Sequence, residues 1–272
     1  MLIQRVMTAL VLLPLLLGAI WYLPPPGLYA VFCVAGLVAG WEWAGLMRAN
    51  PTPGIRAAFV ASCALAMGLV WFLRDYALWF CAAAGIWCLY ALVLVRGYPG
   101  NFERAKPGLP VMWLIGLLLL VPTMLGLWML RDMPDGALRV FFLFFLIFAA
   151  DTGAYLAGRN FGRHKLAPSV SPGKTVEGAI GGLLLCAAWA ACAGPLVFPL
   201  GTPLQVLQLV LLCLVVAGFS VVGDLIESLF KRSAGVKDSG NILPGHGGML
   251  DRVDSVLAGA PLLALGLSLL EF

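Results

Sequence analysis

Apolar runs of about twenty residues, the length that carries a helix across a bilayer, alternate along the chain with short polar breaks. Nine runs are legible, at roughly 5–23, 28–47, 55–73, 75–95, 109–130, 137–158, 175–199, 203–230 and 251–271. A helix also satisfies its own backbone polar groups where no water can reach them. Each run is therefore predicted to be a transmembrane helix. The breaks carry turn chemistry, as in Pro24-Pro25-Pro26-Gly27, Pro51-Thr52-Pro53-Gly54 and Gly201-Thr202-Pro203. The slightest break is Arg74-Asp75, between the third and fourth runs. The first run is long, lacks a clear A-x-A cleavage site and is followed at once by further runs, so it is read as a retained span.

Composition agrees with the pattern. Only 11% of the 272 residues are charged and 62% are hydrophobic. Soluble domains carry about 25% charged residues. The mean hydropathy of +0.98 leaves too little polar surface to cover a water-soluble globule. A secreted disulfide scaffold, a disordered chain and a soluble enzyme built round one core are excluded. The predicted class is an all-α, polytopic integral membrane protein with about nine transmembrane helices. The seven cysteines (33, 63, 81, 88, 186, 192 and 213) lie in apolar stretches without CxxC pairs or zinc spacing. They read as small packing residues.

The net charge of +4 says little, but its distribution says more. Alternate breaks hold Arg5; Arg48 and Arg56; Arg96, Arg104 and Lys106; Arg159, Arg163, Lys165 and Lys174; and Lys231, Arg232, Lys237 and Arg252. The opposite breaks hold only Arg74, Arg131 and Arg139, a division of fourteen against three. The positive-inside rule then places the N-terminus in the cytoplasm and, after nine spans, the C-terminus outside.

The two halves differ in chemistry. Residues 1–135 carry few special positions and are expected to be a transmembrane scaffold with lipid or dimer contacts. Glu42, between Trp41 and Trp43, reads as an interfacial carboxylate in an aromatic belt or as a support for an active site elsewhere. Residues 136–272 are expected to be the catalytic region, with three polar clusters on the cytoplasmic side.

The first cluster begins with Asp151 and Tyr155, which share a helix face at i and i+4. A carboxylate inside a span usually faces a polar partner or a water-filled cavity. Gly158-Arg159-Asn160-Phe161-Gly162-Arg163-His164-Lys165 and Ser169-Val-Ser171-Pro-Gly173-Lys174-Thr175-Val-Glu177-Gly178 follow. Gly173-Lys174-Thr175 is not a P-loop. Pro168 stands where that motif needs glycine, and no predicted strand precedes it. Lys174 and Thr175 instead open a helix, whose free N–H groups and positive dipole end suit an anion.

In the second cluster Asp224, Glu227, Ser228 and Lys231 recur at i, i+3, i+4 and i+7, one polar stripe on an apolar helix, followed by Arg232. The third runs from Lys237 to Asp254 and includes Gly245-His246-Gly247-Gly248. Its glycines give a backbone able to pack close to a ligand. Asp251 and Asp254, with Asp224, offer oxygen ligands to a hard cation such as Mg²⁺; helix-dipole complementation alone is the plainer reading of the first two. His246 reads equally as a turn residue or a general base, and less well as a ligand. Carboxylates, a cation and several Lys/Arg are the means of phosphoryl or nucleotidyl transfer. A secondary transporter is the main non-enzyme alternative. Such proteins bind near the midplane between repeated halves, whereas here the clusters lie at helix ends and the halves are unlike. A different membrane phosphotransferase would use the same metal logic.

Ser228-Leu-Phe-Lys231-Arg232, then Lys237-Asp238-Ser-Gly240, then Pro244-Gly-His246-Gly247-Gly248-Met-Leu-Asp251-Arg252-Val-Asp254 resembles the signature of phosphatidate cytidylyltransferases, the CDP-diacylglycerol synthases. Asp151-Thr-Gly-Ala-Tyr155, Ser171-Pro-Gly-Lys174-Thr175-Val-Glu177-Gly178 and Gly223-Asp224-Leu-Ile-Glu227-Ser228 also look like motifs of that family. The resemblance covers roughly residues 145–255 in detail. It implies transfer of a cytidylyl group from CTP to phosphatidic acid, with no nucleic-acid partner. It implies a catalytic set of Asp224, Asp251, Lys237 and His246. The cation site would be Asp224 and Asp251, supported by Asp254 and Glu227, holding Mg²⁺ with K⁺ as its companion. Substrate would meet Asp151, Tyr155, Arg159, Arg163, Ser171, Lys174, Thr175, Ser228, Lys231, Arg232 and Arg252. The implied setting is a bacterial cytoplasmic (inner) membrane, with the active site facing the cytoplasm. The small-residue face Gly178-Ala-Ile-Gly181-Gly182 permits close helix packing, and a homodimer is kept open.

Overall fold

The computed structural model describes residues 2–47, 51–100, 102, 107–245 and 247–272, with side chains from residue 7 onward except residue 9. Arg48, Arg104, Lys106 and His246 lie outside the described residues, as does the side chain of Arg5.

Among the described residues are nine long helices: α1 (Leu2–Tyr22), α2 (Pro25–Leu46), α3 (Pro53–Phe72), α4 (Ala77–Arg96), α5 (Leu109–Asp132), α6 (Gly136–Phe161), α7 (Val176–Val197), α8 (Pro203–Ser233) and α9 (Leu250–Leu270). Each coincides with one predicted apolar run. Eight are long and apolar enough to cross a membrane, and α1 contributes the apolar stretch Leu10–Tyr22. The faint break at Arg74 is a single 3₁₀ turn, Arg74–Tyr76. Proline sits in the first turn of α2, α3, α5 and α8, where its missing N–H costs nothing. Thr52 caps α3, and Thr202 with Gln205 forms a capping box on α8.

Helix α5 is the centre of the bundle and packs against α2, α3, α4 and α9. Its run from Leu119 to Leu130 is buried throughout. Two polar groups inside are paired across helices: Trp43 Nε1 donates to Met112 O (3.1 Å) and Thr123 Oγ1 to Leu257 O (2.9 Å). The outer faces expose Leu10, Leu15, Leu65, Phe72, Trp79, Leu184 and Leu196, side chains that suit lipid rather than water. The small-residue face Gly178–Gly182 of α7 packs on Gly153, Ala154 and Ala157 of α6 in the same chain. It is used within the protomer.

The two ends of the bundle differ. One gathers the C-terminal turns of α2, α6 and α8 with the first turns of α7 and α9, and holds the polar clusters. The other gathers the three isolated cations. Arg131 Nη2 donates to Leu23 O (2.9 Å). Arg139, 2% exposed, donates to Pro134 O (2.6 Å) and Phe272 O (2.7 Å) and lies 5.0 Å from the Phe198 ring centre. Arg74 lines a shallow hollow with Trp128 and Asp132. Helix α8 has 31 residues. At 1.5 Å per residue it spans about 46 Å, more than the ~30 Å hydrocarbon core, so its polar last turns have length to spare.

Arg139→Met keeps the stem and removes both bonds. Hydrogen bonds to charged groups contribute about 1.5–3 kcal/mol. The variant is expected to lose stability of that order in thermal unfolding of the detergent-solubilised protein. A wild-type midpoint would show that the Arg139 bonds do not stabilise the fold.

Candidate active site

Asp151, Tyr155 and Arg159 follow one another at i, i+4 and i+8 on the last turns of α6. All three line one cavity. Arg159 Nη1 donates to Tyr155 OH (3.0 Å). The chain then forms an antiparallel hairpin, β1 (Lys165–Ala167) and β2 (Ser171–Thr175), with Lys165 opposite Thr175 and Ala167 opposite Ser171. The sequence reading placed no strand here. The hairpin is short and its anchors are few: Ala167, Val170 and Thr175 are buried, and Arg232 Nε donates to Val170 O (3.3 Å). This is how Arg232 meets the site, through the hairpin.

Thr175 Oγ1 accepts from Gly178 N (3.1 Å), and Val176 N donates to His164 O (2.9 Å). Two of the helix-start N–H groups expected to face an anion are thus taken by the protein itself. Glu177 accepts from Arg163 N (3.1 Å) and His164 N (3.2 Å), and its Oε1 lies 2.6 Å from His164 Nδ1. Glu177 orders the turn between α6 and β1. Arg163 presents an exposed side chain there. Lys174, on β2, reaches across to α8, where its Nζ lies 2.7 Å from Asp224 Oδ2.

Helices α8 and α9 supply the carboxylates. A Cβ at Gly223 would stand 2.6 Å from Asp254 O. Glycine is therefore what lets α9 approach at this level. One carboxylate oxygen from each of Asp224, Glu227 and Asp254 lies within 4.8 Å of the others. Ser228 Oγ donates to Asp224 Oδ1 (3.2 Å), and Asp254 Oδ1 accepts from Ser255 N (2.7 Å). Glu227 is 1% exposed, and its Oε1 has no hydrogen bond among the described residues. Lys231 Nζ lies 2.8 Å from Glu227 Oε2 and 2.7 Å from Asp251 Oδ1. Asp251 also accepts from Ser239 N (3.0 Å) and Gly248 N (2.8 Å). The structure thus brings Asp224, Glu227 and Asp254 together and ties Asp251 to Lys231 and the glycine-rich loop.

A cavity of about 350 Å³ opens beside this group. Besides the α6 side chains, Lys174, Thr175, Gly178, Asp224 and Ser255 line it. Ser171 is half-buried on β2, and Lys237 and Arg252 are exposed next to the site's loop. Two further contributors lie outside the set of site residues expected from the sequence, although Glu42 was weighed there as a support for an active site. Ser239 bonds Asp251, and Glu42 of α2 accepts from Leu250 N (2.8 Å). A carboxylate within an apolar run was the available signal for Glu42; nothing marked Ser239 beyond its place in the loop.

A family model described as the cytidylyltransferase family matches residues 3–270. The chain belongs to the cytidylyltransferase family. A relative from Pseudomonas aeruginosa, named phosphatidate cytidylyltransferase, is 41% identical over 97% of this chain and 96% of its own. One of the same name from Haemophilus influenzae is 35% identical over 96% of each. An uncharacterized protein of Escherichia coli, YnbB, is 44% identical over 53% of this chain and 45% of its own.

The family's chemistry raises the question of a metal, and the donor set fits one. All three clustered ligands are oxygen, the choice of hard cations. The buried Glu227 Oε1, without a hydrogen bond, is costly unless a cation meets it. Lys231, between Glu227 and Asp251, already supplies one positive charge.

Gly223→Val puts a branched side chain against the backbone of Asp254. It is expected to separate α8 from α9 and cut turnover at least about 100-fold, the cost of a misplacement near 1 Å. The protein should still insert and fold. Wild-type turnover in this variant would show that the close approach is not required.

Proposed function

We propose that this chain transfers a cytidylyl group from CTP to phosphatidate, leaving CDP-diacylglycerol in the bilayer and releasing pyrophosphate. One observation carries the reading: a carboxylate trio beside Lys174, in a cavity at one end of an apolar bundle. The chain aligns end to end with relatives named for this reaction.

The phosphate monoester of phosphatidate is already anionic, so attack on the α-phosphorus of CTP needs no strong base. A phosphorus–oxygen bond forms there as the bond to pyrophosphate breaks. The protein's task is to place two anions in line and offset their charge. Asp224, Glu227 and Asp254 would hold the cation. When bound, Mg²⁺ neutralises phosphate oxygens and orients them. K⁺ as a companion ion, and Asp251 as a further ligand, follow from the family resemblance. Asp251 would first have to release Lys231.

Lys174 is paired with Asp224 without substrate and would turn to a phosphate once the cation takes over that carboxylate. Arg159, held by Tyr155 at the cavity wall, would grip the triphosphate or the lipid head. Arg163, Lys237 and Arg252 would add charge at the mouth. Ser228 orients Asp224, and Asp151 limits where an anion can rest. The excess of cations at the polar end favours a cytoplasmic active site and N-terminus in a bacterial inner membrane. Residues 1–135 would act chiefly as scaffold and 136–272 as the catalytic region.

Purified protein given labelled CTP, phosphatidate and Mg²⁺ should yield a lipid carrying CMP. EDTA should abolish the product and Mg²⁺ restore it. Asp224→Asn and Asp254→Asn should each lower kcat at least about 100-fold, the scale of losing a charge-stabilising group, with the protein still folded. Transfer of the γ-phosphate to a lipid, read with γ-labelled CTP, or no lipid carrying CMP at all, would overturn the reading.

A further inference from the structure

Glu42 lies on α2, in the half with few polar residues, yet its carboxylate reaches the loop that carries the catalytic signature. Helix α9 begins at Leu250, and its N-cap residue, Met249, makes no side-chain bond to the helix. The first N–H groups of a helix need acceptors from elsewhere. Glu42 Oε2 supplies one, accepting from Leu250 N at 2.8 Å across 208 residues of sequence. A negative charge at this end is also favoured by the helix dipole.

The same oxygen accepts from Ser239 Oγ (3.3 Å), while Ser239 N donates to Asp251 Oδ2 (3.0 Å). Ser239 is therefore gripped from both sides, by a carboxylate of α2 and one of α9. Gly240 and Gly248 close the clasp. A Cβ on either would stand 2.8 Å from Glu42 Cδ. Glu42 is 2% exposed, and its Oε1 has no hydrogen bond among the described residues. An apolar side chain would fill this space without burying an unpaired oxygen. Packing does not explain a carboxylate here, whereas the bonds of Oε2 do.

We propose that Glu42 is a positioning residue for the cytidylyl-transfer site: it caps α9 from α2 and clasps the 239–250 loop. The first turn of α9 then holds Asp251 and Asp254 against α8. The inference uses the proposed reaction only for its activity readout.

The test compares the full-length, detergent-solubilised protein with Glu42→Gln and Glu42→Ala by hydrogen exchange with mass spectrometry, in the absence of metal and substrate. Glu42→Ala is expected to speed exchange across residues 239–252 and to leave the hairpin and α3–α5 as in the wild type. Its kcat should fall about 100-fold through misplacement of α9, with little change in KM for CTP. Glu42→Gln keeps an acceptor for Leu250 N and should recover both the protection and most of the turnover. Native exchange at 239–252 in Glu42→Ala would overturn the proposal. So would loosening spread over the whole bundle, or Glu42→Gln as impaired as Glu42→Ala. If Glu42→Ala does not accumulate, Gly248→Ala tests the contact from the loop side. Local loosening there supports the clasp and native protection refutes it. Because exchange is read without substrate, a failed transfer assay in the wild type would count against the reaction and not against the clasp.

Discussion

Carboxylates gathered within a few ångströms of each other, on helices otherwise built for lipid, are the costly feature on which the rest of the structure turns. Like charges so close repel, and burial strengthens the repulsion. Two ammonium groups offset them: Lys174 on Asp224, and Lys231 between Glu227 and Asp251. Each arrives from a particular place. Lys174 depends on the hairpin, itself pinned by Arg232, and Lys231 lies one turn beyond Glu227 on α8. An uncompensated buried charge is strongly destabilising. The hairpin, the long α8 and the glycine contact between α8 and α9 are thus parts of one electrostatic arrangement.

That arrangement also gives the site its capacity to act. In the proposed reaction the Lys174–Asp224 pair would separate, leaving Asp224 to help hold a cation and Lys174 to meet a phosphate. The interior of the bundle stays fixed meanwhile, because α5 fills it with close-packed apolar side chains and a few paired polar groups. The polar clusters lie at one end, and the opposite end holds arginines bonded to backbone carbonyls. The N-terminal helices are more than ballast in this picture, since α2 reaches the start of α9 directly.

Much of this was legible from residue order. An apolar stretch long enough to span lipid has one stable conformation there, so nine runs translate into nine helices with ends displaced by only a few residues. The stripe of Asp224, Glu227, Ser228 and Lys231 was readable because helical periodicity fixes which side chains share a face. The hairpin at Lys165–Thr175 was not readable. Its strands are three and five residues long, and its stability comes from tertiary anchors that leave no local pattern. Nor could spacing reveal that Thr175 and His164 occupy N–H groups at the start of α7, or that Asp251 faces Lys231. Those outcomes depend on how separate segments meet. Glu42 lies between the cases: its oddity was visible, but its partner, two hundred residues away, was not.

The most direct test of the central claim is to find the cation. Crystals of the wild-type protein soaked in Mn²⁺, a magnetic and anomalous stand-in for Mg²⁺, should show an anomalous peak bounded by Asp224, Glu227 and Asp254, with Lys174 turned away from Asp224. A saturating soak of active protein that leaves this position empty, or places the ion away from all three carboxylates, would contradict the mechanism.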